Sequence, residues 1–215
     1  MFTVLKRNLL MTYEDQYDRK TEGDPFDVIP IKNVKEAKNT LEICLSNREI
    51  NKLIKFEFFV NLEIVWLNNN FLSDLDGLKE NFRLKEIYLK NNRFEHLNPI
   101  IFKKLKNLVV LDFEDNKLFE FEKNLKIFKG LKYLKNLNLI GNPMCNEIHF
   151  RLKVILEMPY LQILNGVSIK EEERIKAKKL QDGYKGKKKK PKKSKAWQMS
   201  ANERILFNKY KPNLS

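Results

Sequence analysis

The chain has 215 residues, of which 42% are hydrophobic, enough for one domain with a buried core plus tails. No apolar run reaches the ~18 residues that would suggest a membrane span, and the only two cysteines, Cys44 and Cys145, exclude a disulfide framework and fit a reduced, intracellular compartment. The net charge of +14 is uneven: residues 1–169 hold 26 Lys and Arg against 23 Asp and Glu, whereas residues 170–215 hold 16 against 5.

In chain order, residues 1–32 read as an N-terminal arm. Lys6 and Arg7 interrupt its first apolar stretch and no small-residue cleavage site follows, which argues against a secretory leader. Asn33 is placed to cap a short helix or strand, with Glu36 at the reciprocal position. Self-similar segments follow. Leu62 opens LEIVWLNNNFL, Leu84 opens LKEIYLKNNRF, Leu108 opens LVVLDFEDNKL and Leu134 opens LKNLNLIGNPM. An earlier copy begins at Thr40 with Arg48 where the others have Asn, so the steps are 22, 22, 24 and 26 residues.

The period-two spacing inside each copy predicts a short strand whose alternate residues point inward. Val65 and Leu67, Ile87 and Leu89, Leu111 and Phe113, and Leu137 and Leu139 should stack as one core, because a single copy cannot bury its apolar face alone. Asn70, Asn92, Asn116 and Asn142 recur where the chain leaves the strand, and their side chains can bond the turn backbone as a ladder. Leu72, Leu75, Phe94, Leu97, Leu118 and Phe121 complete the outer arc, expected to hold 3₁₀ turns or short helices, with a fuller helix in the longest step. After the last copy, Phe150, Leu152, Val154, Ile155 and Met158 have helical spacing that Pro159 ends. Leu161, Ile163 and Leu164 read as a final edge strand, and Ile169 onward as a charged surface helix with acids first and bases last. The domain is therefore predicted over residues 33–181, with its C-terminal cap at 143–181 and a basic tail at 182–215.

The four copies resemble the 22-residue class of the leucine-rich repeat family, known from the nuclear regulatory subunit of protein phosphatase one. Asn142-Pro143, Phe150-Arg151-Leu152, Val154-Ile155, Pro159, Leu161, Leu164 and Glu173 are similar to the cap shared by the spliceosomal A-prime protein, the axonemal dynein leucine-rich light chain and several repeat proteins of ciliated cells. The insertion KIFKGLKYLKNLNLIGNPMC is similar to vertebrate leucine-rich-repeat-containing proteins. The resemblance covers roughly residues 40–180 and implies an α/β solenoid, a right-handed coil with parallel concave strands and capped ends. It implies a binding module whose partners differ from member to member.

No nucleophile elbow, phosphate-binding loop or zinc-binding helix signature occurs, and His96 and His149 have no ligand neighbour at metal spacing, so no enzyme activity, catalytic residue, metal or cofactor is expected. Binding is the better question. The outward columns of the strands run Glu42, Ile64, Glu86, Val110, Asn136; Cys44, Trp66, Tyr88, Asp112, Asn138; Ser46, Asn68, Lys90, Glu114, Ile140; and Asn47, Asn69, Asn91, Asp115, Gly141. Trp66 and Tyr88 should be neighbours with Ile64 and Val110 beside them, an aromatic anchor of the kind interfaces use. Glu42, Glu86, Asp112, Glu114 and Asp115 make the face acidic, which predicts a partner protein with a basic amphipathic segment and disfavours nucleic acid there. Phe2–Tyr13, apolar and basic, is the segment of this chain that could instead fold back over Trp66.

In the tail, Lys187, Lys188, Lys189, Lys190, Lys192 and Lys193 belong to a block that cannot build a core. It fits a nuclear localisation signal, electrostatic attachment to nucleic acid or acidic lipid, an acidic protein surface such as tubulin, or a plain solubilising tail. Beyond it, Ser200 and Glu203 form a capping-box pair, and Trp197, Ile205, Leu206 and Tyr210 read as a docking peptide for a second partner. The combined expectation is a protein-binding adaptor or scaffold of a cytoplasmic cytoskeletal assembly, a cilium or axoneme. The alternatives are a nuclear ribonucleoprotein component, with RNA on the tail, or a phosphatase regulator.

Overall fold

A computed structural model describes residues 21–29 and 34–187, with side chains described to Asp182. The chain divides into two compact units, residues 1–177 and 178–215. In chain order the first unit carries β1 (Glu22–Gly23), α1 (Val34–Asn39), β2 (Glu42–Cys44), β3 (Lys52–Leu53), β4 (Ile64–Trp66), β5 (Glu86–Tyr88) and α2 (Pro99–Lys104). These are followed by β6 (Val110–Asp112), α3 (Phe121–Lys129), β7 (Asn136–Asn138), α4 (Phe150–Glu157), β8 (Ile163–Leu164) and β9 (Val167–Ser168). The last helix, α5 (Glu171–Lys187), begins in the first unit and ends in the second.

One strand from each of the five copies and two from the C-terminal cap build a seven-stranded sheet of order β2-β4-β5-β6-β7-β8-β9, parallel until its last pair. The strand motif, at the same place in each copy, sets the register although the step grows from 22 to 26 residues. Ile43 faces Val65, Val65 faces Ile87, Ile87 faces Leu111 and Leu111 faces Leu137. All of these, with Leu67, Leu89, Phe113 and Leu139, are buried, as are the outer-arc residues Leu72, Leu75, Phe94, Leu97, Leu118 and Phe121. Strands sit about 4.8 Å apart while the elements opposite are wider, so the stack curves with its strands on the inner arc.

The asparagine ladder forms. Nδ2 of Asn70 donates to Leu45 and Leu67 carbonyls, both at 2.9 Å, and Oδ1 accepts from Arg48 and Ile50 amides at 3.0 and 3.1 Å. Asn92, Asn116 and Asn142 repeat the pattern against Leu72, Phe94 and Leu118 amides. Arg48 is exposed, yet the first copy keeps register because Asn70 reaches back to it. Opposite the strands lie a 3₁₀ turn at Asp76–Leu78, then α2, then α3 in the longest step. Asn98 caps α2 by accepting from the Ile100 amide at 3.0 Å, with Pro99 at the first position. α3 buries Phe121, Leu125 and Phe128 at helical spacing.

The ends differ from the expectation in two places. Residues 21–29 do not stand apart as an arm: β1 pairs with β3, and Phe26 packs against Phe58 and Phe59 with centroids 5.8 and 5.2 Å away. Asn33 and the stretch Phe2–Tyr13 lie outside the described residues. At the other end, Ile163–Leu164 is not the edge. Asn165 and Gly166, with φ of 55° and 71°, turn the chain back so that β9 pairs antiparallel with β8. Two arginines fasten this cap. Arg151 donates to Glu173 at 2.6 Å and to the Leu164 carbonyl at 2.9 Å, and Arg174 to the Pro159 and Leu161 carbonyls at 2.8 and 2.6 Å.

Candidate functional site

The inner arc puts Trp66 and Tyr88 side by side because Leu45 and Leu67 amides bond the carbonyls of Trp66 and Tyr88, both at 2.8 Å, locking β2, β4 and β5 in step. The rings stack with centroids 3.8 Å apart and planes 3° apart. Both stay half-buried, so a slab of aromatic surface remains open to a partner. Trp66 Nε1 donates to Glu42 at 2.5 Å, and the Tyr88 hydroxyl to Glu86 at 2.6 Å. The polar ends of the pair are thus satisfied, and the faces and edges that remain are apolar. Burial first, then the Glu86 hydrogen bond and the nearby carboxylates, hold the Tyr88 phenol well above its ordinary value.

Around this pair lie Ile64, Glu86 and Val110 in one row by register, all half-buried. Asp112 follows Tyr88 in the next row, and burial raises its carboxyl above the usual range. Glu114 is on the same face but is engaged: Lys90 donates to it at 2.5 Å, and Asn138 at 2.8 Å. The Lys90 ammonium lowers the Glu114 carboxyl, and it also lies 3.9 Å from Asp115. The negative charge around the aromatic pair therefore sits at Glu42, Glu86 and Asp112, while Lys90 offsets one of the two charges of Glu114 and Asp115, chiefly that of Glu114. The sequence placed Lys90 in the right column, but its pairing depends on the side-chain reach across two strands.

A second departure concerns the column Asn47, Asn69, Asn91, Asp115 and Gly141. It has a backbone duty: all five have positive φ, from 53° to 76°. Asn, Asp and Gly tolerate this left-handed geometry, which turns the chain out of each strand. Asn69 also donates to Asn47 at 2.8 Å and Asn91 to Asn69 at 3.1 Å, so these side chains form their own ladder at the rim of the site.

Lys187 falls in α5, with its side chain outside the described residues, and Lys188, Lys189, Lys190, Lys192, Lys193, Trp197, Ile205, Leu206 and Tyr210 lie outside them altogether. Among the described residues, no group of three or more His, Cys, Asp or Glu side chains could hold a metal ion, and no helix is long and apolar enough to cross a membrane. His96 lies 3.2 Å from Glu120 and edge-on to Phe119, and Cys145 donates to the Leu139 carbonyl at 3.0 Å.

A probable U2 small nuclear ribonucleoprotein A′ of Caenorhabditis elegans is 30% identical over 126 residues, 59% of this chain and 49% of that protein. U2 small nuclear ribonucleoprotein A′ of Aspergillus fumigatus is 27% identical over 176 residues, 82% of this chain and 60% of that protein. The chain thus matches only about half the length of these relatives. Among solved structures, a chain of the Drosophila melanogaster SNF/U2A′ complex shares the fold with a TM-score of 0.62 at 19% identity, over 88% of this chain and 99% of that chain. The leucine-rich repeat family model matches residues 70–194, more than half of the sequence, and with the register and asparagine ladder in place the chain belongs to the leucine-rich repeat family.

Proposed function

We propose that this chain is a protein-binding scaffold of a nuclear ribonucleoprotein particle, and that its inner arc grips a basic amphipathic segment of a protein partner. The observation that carries it is the Trp66–Tyr88 stack, half-open at the centre of the strand face and ringed by Glu42, Glu86 and Asp112. None of these side chains is needed to close the core. A cationic side chain laid on the stack would gain both ring attraction and carboxylate partners. Phosphates would be repelled by the same carboxylates, so the partner on this face is protein rather than RNA.

The setting is argued from the relatives. They carry the name U2 small nuclear ribonucleoprotein A′, and the solved neighbour is a complex of U2A′ with SNF. This likeness favours the nucleus over the cilium or axoneme, and it lends no support to tubulin as the surface for the basic tail. RNA is the acidic partner that suits the tail in this setting. A phosphatase regulator has no feature of the site in its favour.

The test is affinity purification with mass spectrometry from cells, comparing the full chain with the double variant Trp66→Ala, Tyr88→Ala. Loss of a central aromatic pair should cost about 2 kcal/mol or more of binding, roughly thirtyfold. The expected result is a partner set rich in ribonucleoprotein components that the variant, melting as a folded domain, fails to retain. Recovery of the same proteins by the variant would reject the inner arc as the site, and a partner set of axonemal proteins would reject the nuclear setting.

A further inference from the structure

The face opposite the strands carries a groove that the aromatic site does not use. It lies along α2 and α3, encloses about 770 Å³, and draws its lining from both helices and from the segments that follow them. Its floor is apolar, with Phe102 buried and Ile127 half-buried. Its rim is cationic: five lysines line it against one carboxylate, Glu120. Lys123 is paired with that carboxylate. Lys103, Lys106, Lys126 and Lys132 are exposed and have no ion-pair partner among the described residues.

Part of this charge has a structural reason, since Lys103 and Lys126 sit in the last turns of their helices, where the helix dipole favours cations. That reason does not reach Lys106 or Lys132, which lie beyond the helix ends. Nor does it explain an open apolar floor beside them, with Tyr133 61% exposed at its edge. A volume of several hundred Å³ suits a turn of amphipathic chain with one or two anchoring side chains. Nucleic acid could use the lysines and stack on Tyr133 at the edge, but it would leave the apolar floor at Phe102 and Ile127 unmatched.

We propose that this groove docks an acidic amphipathic segment of a second protein, its apolar side chains over Phe102 and Ile127 and its carboxylates on Lys103, Lys106, Lys126 and Lys132. The two faces of the domain then select oppositely charged partners, and one chain can hold both at once. The groove stands on its own charge and shape, and it does not depend on what the inner arc holds.

Fluorescence anisotropy with the full chain tests this. The probes are a labelled synthetic peptide of Glu and Leu at helical spacing, the same peptide with Gln in place of Leu, and polyuridylate RNA. The variants are Lys103→Glu with Lys106→Glu and Lys126→Glu, and separately Lys132→Glu with Tyr133→Ser. All five side chains are exposed, and thermal melting checks the fold. Attraction of the C-terminal lysines for any acidic probe is common to every variant, so only the difference between variants reports the groove. Expected is tighter binding of the Glu/Leu peptide than of its Gln counterpart, weakened about tenfold by the triple variant and less by the double. Unchanged peptide affinity in both variants would overturn the proposal. So would a loss confined to polyuridylate, which would make the groove an RNA site. Self-association in sedimentation that the triple variant abolishes would equally overturn it, with a second copy of this chain as the occupant.

Discussion

Replacing Asn92 with Ala isolates what one rung of the ladder contributes. Asn92 Oδ1 accepts from the Leu72 amide at 3.0 Å, and that buried amide has no other acceptor among the described residues. Asn92 Nδ2 donates to the Leu67 and Leu89 carbonyls at 2.9 and 3.0 Å. Those two carbonyls keep a donor after the substitution, because Asn70 also reaches Leu67 and Asn116 also reaches Leu89. The loss is therefore asymmetric. One orphaned buried amide costs about 1–3 kcal/mol, and two carbonyls each reduced to a single partner add about 0.5 kcal/mol apiece. The sum is about 2–4 kcal/mol, a large part of a typical domain's stability and equivalent to roughly 6–12 °C in melting temperature at this size. Asn91→Gly is the matched control. Asn91 is exposed and has a φ of 55° that glycine adopts freely, so the change should stay within about 0.5 kcal/mol. Urea and thermal unfolding followed by circular dichroism give both values. If Asn92→Ala melts with Asn91→Gly, the ladder is ornament and the cohesion of the stack comes from the core alone.

Two further outcomes follow from the charged groups. Arg151 holds the Glu173 carboxyl down at about 2, against an ordinary 4.5, so the stabilisation it lends the cap is whole above the unfolded value and drains away as pH falls from about 4.5 towards 2. Glu173→Gln should lower stability at neutral pH and flatten the acid limb of the urea midpoint over that window; parallel acid limbs for the two proteins would refute the assignment. The raised Tyr88 phenol should ionise later than an ordinary tyrosine near 10 in an alkaline absorbance titration, and Glu86→Gln should bring it down. An absorbance step missing from Tyr88→Phe but centred at the ordinary value would contradict the packing described for the aromatic pair.

What could be read from the sequence was whatever repeats. Val65, Ile87, Leu111 and Leu137 hold the same place in a period-two motif that every copy repeats, so their burial and their register follow from one pattern. The same motif carries Trp66 onto Tyr88 without any coordinate. Features that break the repeat, or depend on side-chain reach, were not legible in this way. The Lys90 bond to Glu114 spans strands and needs a rotamer. The left-handed column carries a signal, the recurrence of Asn, Asp or Gly one place before each ladder asparagine, but the same residues also fit the outward positions of a contact surface. The turn at Asn165-Gly166 is a hairpin signal, obscured in the pattern by the run of parallel strands before it. The groove beside α3 arises from the widest step in the stack, and neither helix announces it alone.

The reversal at β9 has a bearing on how the molecule behaves in a crowded solution. A stack of parallel strands that simply stopped would offer its exposed backbone as a template for the next molecule's first strand, and growth from end to end into fibres would be open. Val167–Ser168 runs against that grain and is only two residues long, so an incoming parallel strand finds neither the direction nor the length to continue the series. Deleting the hairpin should thus be felt first as polymerisation at high concentration, before any loss of binding at the aromatic pair.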